Sequence, residues 1–168
     1  MWKRSDNTGL RRVWLFCDGS TGAMFESHAA GSRERLNARM TCAAAAVARG
    51  EDGRILDLAW EELPNMTNNE AEYAGLIVGL KLARRLNVQE AVCVLDSEVV
   101  IGQMEGRFSI NSARLREWHG KACAAAREVP AVRYRLVPRE WNRLADGLAG
   151  QASLPWPALW RAVEGAPV

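Results

Sequence analysis

The order of apolar runs and helical periodicity predicts an α/β domain, a five-stranded mixed sheet in which an antiparallel three-strand meander precedes two parallel crossovers. Three observations carry that expectation. A buried-strand pattern at Val13 to Cys17 is followed by two apolar segments around a Gly-rich turn, Asn69 to Leu86 has clear helical spacing, and strand and helix patterns then alternate through Gly150.

Val13 to Cys17 is a nearly continuous apolar run closed by Asp18, and Gly19 lets the backbone turn away. Residues 19–39 lack strong periodicity and read as a long connection. Met40 to Arg49 and Arg54 to Glu61 flank Gly50-Glu51-Asp52-Gly53, a hairpin signal. Alanine propensity alone would make Cys42 to Ala48 helical; the adjacent turn and Ile55-Leu56-Asp57-Leu58 favour a strand.

In Asn69 to Leu86, Tyr73, Leu76, Ile77, Leu80 and Ala83 share one helical face, with cations late in the helix where its dipole favours them. Thr67-Asn68-Asn69-Glu70 fits a capping box, which gives Glu70 a structural task. Glu72, about 200° further round the axis, is left without that explanation. Ala91 to Leu95 is a second buried strand closed by Asp96, and Ser97 caps a short helix through Met104. Ser112 to Arg127 is helical, Val132 to Val137 is a strand that Pro138 stops, and Asn142 caps a last helix holding Asp146. Three segments result: a basic extension 1–12, a folded α/β domain 13–150 and a Pro- and Trp-containing tail 151–168.

Composition narrows the class. A chain of 168 residues, 48% hydrophobic, can bury one substantial core. Its four cysteines show no CxxC spacing, which points to a reducing, cytoplasmic setting. No apolar run reaches the roughly 18 residues of a membrane span, so no membrane association is expected, and nothing indicates an obligate protein partner. The net charge of +2 decides nothing, although arginines at 33, 35, 39, 114, 116, 133, 135, 139 and 143 can frame an acidic centre. His28 and His119 have no partner at metal-ligand spacing and read as surface residues, while Trp14 and Trp60 read as core.

Asp18, Glu72, Asp96 and Asp146 stand apart from this background. Carboxylates gathered together raise one another's pKa, so a fold that assembles four does so around divalent cations. Oxygen ligands select Mg²⁺ or Mn²⁺, and two ions roughly 3.5 to 4 Å apart can activate water and steady a leaving oxygen.

Phe16-Cys17-Asp18-Gly19-Ser20, Met66 to Tyr73, Leu95-Asp96-Ser97 with Gln103 to Gly106, and Val137 to Asn142 running into Ala145-Asp146-Gly147-Leu148-Ala149 together resemble the ribonuclease H type 1 family, in the compact branch that lacks a basic protrusion. The resemblance implies a ribonuclease H-like fold and an endonuclease that cuts the RNA strand of RNA/DNA hybrids, leaving a 3′-hydroxyl and a 5′-phosphate. It implies two Mg²⁺ ions, with Mn²⁺ as substitute, on Asp18, Glu72, Asp96 and Asp146, and hybrid contacts from Asn68, Asn69 and the backbone near Gly19 and Ser20. Arg139 falls where the compact branch has an arginine, with a role near the leaving group or in product release. Two departures stand out: residues 21–39 replace a short turn, and Glu98 adds a charge where a neutral residue is usual. The alternatives are a DNA-directed nuclease of the same superfamily and a non-catalytic nucleic-acid-binding module of this fold.

Overall fold

The computed structural model describes residues 11–23 and 41–142. The expected extension 1–12 therefore falls largely, and Asp146, His28 and the tail 151–168 wholly, outside the described residues. Five strands, β1 (Arg12–Ala23), β2 (Thr41–Arg49), β3 (Ile55–Leu63), β4 (Glu90–Leu95) and β5 (Val132–Leu136), form one sheet in the order β3-β2-β1-β4-β5. Pairing is antiparallel in β3-β2-β1 and parallel in β1-β4-β5, as expected from the meander and the two crossovers. Three helices join it: α1 (Asn68–Arg85), α2 (Glu98–Met104) and α3 (Ala113–Arg127).

Side-chain alternation divides the sheet. Val13, Leu15 and Cys17 of β1, with Ala44, Ala46 and Ala48 of β2 and Ala91, Cys93 and Leu95 of β4, pack with Tyr73, Leu76 and Leu80 of α1 in the main core. On the other face Ala45 and Val47 meet Phe16, Leu58 and Trp60, while Val92, Val94 and Val137 meet Trp14 and Phe16. Trp14 and Trp60 are thus half-buried partners of these smaller clusters. His119 is half-buried rather than a plain surface residue, its ring 6.3 Å edge-on from that of Tyr73. Burial pushes the Cys93 thiol up to about 12 and raises that of Cys17 well above its ordinary value, so both behave as small apolar side chains.

The alanine run of β2 is a strand despite its helical propensity, because both of its faces are covered and both of its edges are paired. Small side chains there also let α1 lie close. Ala71, Gly75 and Gly79 recur every fourth residue and form a smooth seam against β1. A Cβ on Gly75 would stand 2.4 Å from the Asp18 carbonyl oxygen, and one on Gly79 2.4 Å from Cys17 Sγ. A Cβ on Gly19 would lie 1.9 Å from the Ala71 carbonyl oxygen. Backbone therefore rests on backbone where helix and strand cross.

The start of α1 is fastened by the expected capping box. Glu70 N donates to Thr67 Oγ1, and Thr67 N donates to Glu70 Oε2 at 2.8 Å. Glu70 is only 1% exposed, and its charge is met by Arg114 Nε at 2.7 Å from Oε1, which ties α3 to α1. Glu70→Ala removes the cap and leaves Arg114 without this partner. We expect it to destabilise the protein by about 1–2 kcal/mol, read from urea denaturation midpoints, because the Glu70 half of the capping box is lost while Arg114, largely exposed, returns to solvent. Ser97 caps α2 as expected, by accepting from Val100 N, and Ser112 caps α3 by accepting from Leu115 N.

Candidate metal centre

β1 continues beyond Asp18 to Ala23, so Asp18 lies within a strand and not at its end, and Gly19 serves the approach of α1 rather than a turn out of the strand. Asp18 is 4% exposed. The parallel partner β4 ends at Leu95, which places Asp96 just beyond the adjacent strand. The close seam brings Glu72, one residue after Ala71, to the same place. One carboxylate oxygen from each of Asp18, Glu72 and Asp96 lies within 4.8 Å of the others. Three acids separated in sequence by 54 and 24 positions thus converge, Asp18 buried and the other two half-buried.

Such an arrangement is unfavourable without positive charge at its centre, since each ionised group raises the free energy of the others. An all-oxygen set that is partly desolvated suits a hard divalent cation, which neutralises the charge and accepts several carboxylates at once. The residues present fit Mg²⁺ or Mn²⁺.

One contributor to this centre was not singled out from sequence. Asn142, fully buried, donates from Nδ2 to the Cys17 carbonyl oxygen at 2.8 Å and to Asp96 Oδ1 at 3.2 Å. The amide orientation is determined by these partners, because both are acceptors and the reverse orientation would set oxygen against oxygen. β5 delivers it there: Val137 N donates to the Leu95 carbonyl oxygen at 2.9 Å, extending the ladder to the edge of the acidic cluster, and a 3₁₀ turn, Arg139–Trp141, precedes Asn142.

The other expected site residues lie on the chain segments that lead to or from these residues. Gly19 and Ser20 follow Asp18 along β1 and are half-buried. Asn68 is exposed at the first turn of α1, where its Oδ1 accepts from the Thr21 hydroxyl, and Asn69 is half-buried beside it. Arg139 is exposed in the turn leading to Asn142. Trp141, also in that turn, is 68% exposed. The segment between α2 and α3, residues 105–112, holds no further helix, which agrees with a compact form without a protrusion.

The reverse transcriptase-like family matches residues 31–152. Over 108 residues the chain is 36% identical to the bifunctional protein Rv2228c of Mycobacterium tuberculosis, a match spanning 64% of this chain and 30% of that protein. The chain thus spans under a third of the length of that relative. The solved N-terminal RNase H domain of Rv2228c superposes with a TM-score of 0.70 at 29% identity, covering 90% of this chain and 98% of that one. LC11-RNase H1, solved in complex with an RNA/DNA hybrid, gives a TM-score of 0.68 at 25% identity over 85% of this chain and 99% of its own. The family match and the fold agree, and the chain belongs to the reverse transcriptase-like family, within its ribonuclease H type 1 group.

Proposed function

We propose that this chain is a divalent-cation-dependent endonuclease that cuts the RNA strand of RNA/DNA hybrids, leaving a 3′-hydroxyl and a 5′-phosphate. The observation that carries the reading is the convergence of Asp18, Glu72 and Asp96 within 4.8 Å. Similarity to ribonuclease H domains, one of them solved with a hybrid bound, supports the substrate class.

Two Mg²⁺ ions, or Mn²⁺ in their place, would supply the positive charge that activates water and steadies the departing oxygen. Asp18, Glu72 and Asp96 hold them, with Asp146 as the fourth carboxylate. Asp18 is the most buried of the three acids, so it is the side chain on which charge balance depends most. Asn68 has its Oδ1 engaged by Thr21, which leaves the Nδ2 hydrogens to meet a ribose hydroxyl, the group that distinguishes RNA from DNA. Asn69 and the backbone of Gly19 and Ser20 complete that contact, and Arg139 offers a cation to phosphate near the leaving group or product. Among the described residues no helix is long and apolar enough to cross a membrane, and the described cysteines are all free, in keeping with work in a reducing cytoplasm.

The test is incubation of the protein with an end-labelled RNA/DNA hybrid in Mg²⁺, beside a DNA duplex and an RNA duplex of the same sequence. Cutting confined to the RNA of the hybrid, abolished by EDTA and restored by excess Mg²⁺, is the expected outcome. Equal cutting of the DNA duplex would replace this reading by a DNA-directed nuclease, and no cutting of any substrate by a binding module.

A further inference from the structure

Asn142, just after the turn that follows β5, ties back across 125 positions to the first strand beside Asp18, and its second bond ends on Asp96. One amide hydrogen holds the carbonyl of Cys17, the residue immediately before Asp18. The other holds Oδ1 of Asp96. A single planar group of fixed geometry therefore sets the separation between the backbone carrying one carboxylate and the side chain of another. The amide is fully buried, which shields both bonds from exchange with water, and its own Oδ1 is also buried, with no hydrogen-bond partner among the described residues. Burying an amide with an unsatisfied acceptor costs stability, on the order of 1–3 kcal/mol. A residue retained only to fill this space would be better served by a leucine of similar volume.

We propose that Asn142 is a positioning residue for the cation site: it presents Asp96 in one rotamer and locks it to the Asp18 strand, so that the carboxylates meet a cation already aligned. The inference rests on the reading of Asp18, Glu72 and Asp96 as cation ligands. By donating to Oδ1, the amide takes up lone-pair capacity on that oxygen and directs coordination to the rest of the carboxylate. Partners that orient a ligand in this way govern affinity, and their loss typically weakens metal binding about 10- to 100-fold.

Calorimetric titration of Asn142→Leu and Asn142→Ala with Mg²⁺, at a temperature where circular dichroism shows each folded, tests the assignment without reference to activity. We expect the Mg²⁺ dissociation constant to rise about 10- to 100-fold in both. In a steady-state assay the Mg²⁺ concentration for half-maximal rate should rise with it, and saturating Mg²⁺ should recover most of the rate. A role in folding alone would lower the melting temperature and leave the Mg²⁺ dissociation constant unchanged, and that result overturns the proposal. If neither variant folds, ¹⁵N spectra of the wild-type protein decide the matter. The Asn142 side-chain amide resonances must shift along the same isotherm as Mg²⁺ binding, and resonances indifferent to Mg²⁺ refute the assignment. A wild-type protein that binds no Mg²⁺ would refute instead the reading of the carboxylates themselves.

Discussion

Asp18→Asn should lower the rate of hybrid cleavage by at least about 10³-fold, equivalent to about 4 kcal/mol of barrier, in a protein that remains folded. The substitution keeps the shape of the side chain and the strand around it, and removes one negative charge from a group of three oxygens within 4.8 Å. Because those charges repel one another, the variant is expected to melt at or above the wild-type temperature in EDTA and to gain much less than wild type on addition of Mg²⁺. A ligand that binds only the folded state stabilises it in proportion to the logarithm of one plus its concentration relative to its dissociation constant, so the difference between the two Mg²⁺-induced shifts measures the site directly. Retention of even a tenth of the wild-type rate would show that Asp18 is not a principal ligand.

The second large effect is on architecture. Gly19→Ala places a methyl 1.9 Å from the Ala71 carbonyl oxygen and 2.6 Å from Glu72 N. Both are backbone atoms, so no rotamer change relieves the overlap, and α1 must lift from β1. Overpacking of a close-fitted core costs about 1–3 kcal/mol, and contact this severe between main chains belongs at or above the upper end. We expect Gly19→Ala to lower the urea midpoint accordingly. Since Glu72 rides on the displaced helix, cleavage should fall further than the loss of folded protein explains. Normal stability with normal activity would contradict the seam. A control such as Gly120→Ala, where a Cβ meets nothing within 4 Å, should be tolerated.

The elements and two of the acids were legible from sequence because each has a local signature. Thr67 and Glu70 are three residues apart, the spacing that a helix start imposes, and the apolar runs before Asp18 and Asp96 announce buried strands, whereas Glu72 and Asp146 were drawn mainly from the family resemblance. The length of β1 was not legible, because Gly19 is equally compatible with a turn and with a strand that needs room for a helix, and the deciding partner, Ala71, lies 52 positions away. The repeat of small residues at 71, 75 and 79 was visible, and its fourfold spacing was the available signal. Asn142 illustrates the limit more sharply. Its neighbours suggest a helix cap, whereas the structure shows bonds to Cys17 and Asp96 that no local pattern encodes. Arg139, Asn68 and Asn69 were drawn from the family resemblance, and their part in the chemistry is left to the experiments above.

β3 forms the outer border of the sheet on the antiparallel side, and its first residues, Ile55 and Leu56, are 42% and 37% exposed. A bare strand with such a beginning would invite another molecule to add itself by main-chain pairing. Along the same border stand Asp57, Glu61 and Glu62, and Arg85 and Lys81 of α1 reach over to Asp57 and Glu61. An approaching strand would have to strip water from this row of ions and find matching charges of its own. Charge along such an edge disfavours strand addition, so neutralising those acids should be felt first as a loss of solubility at high protein concentration.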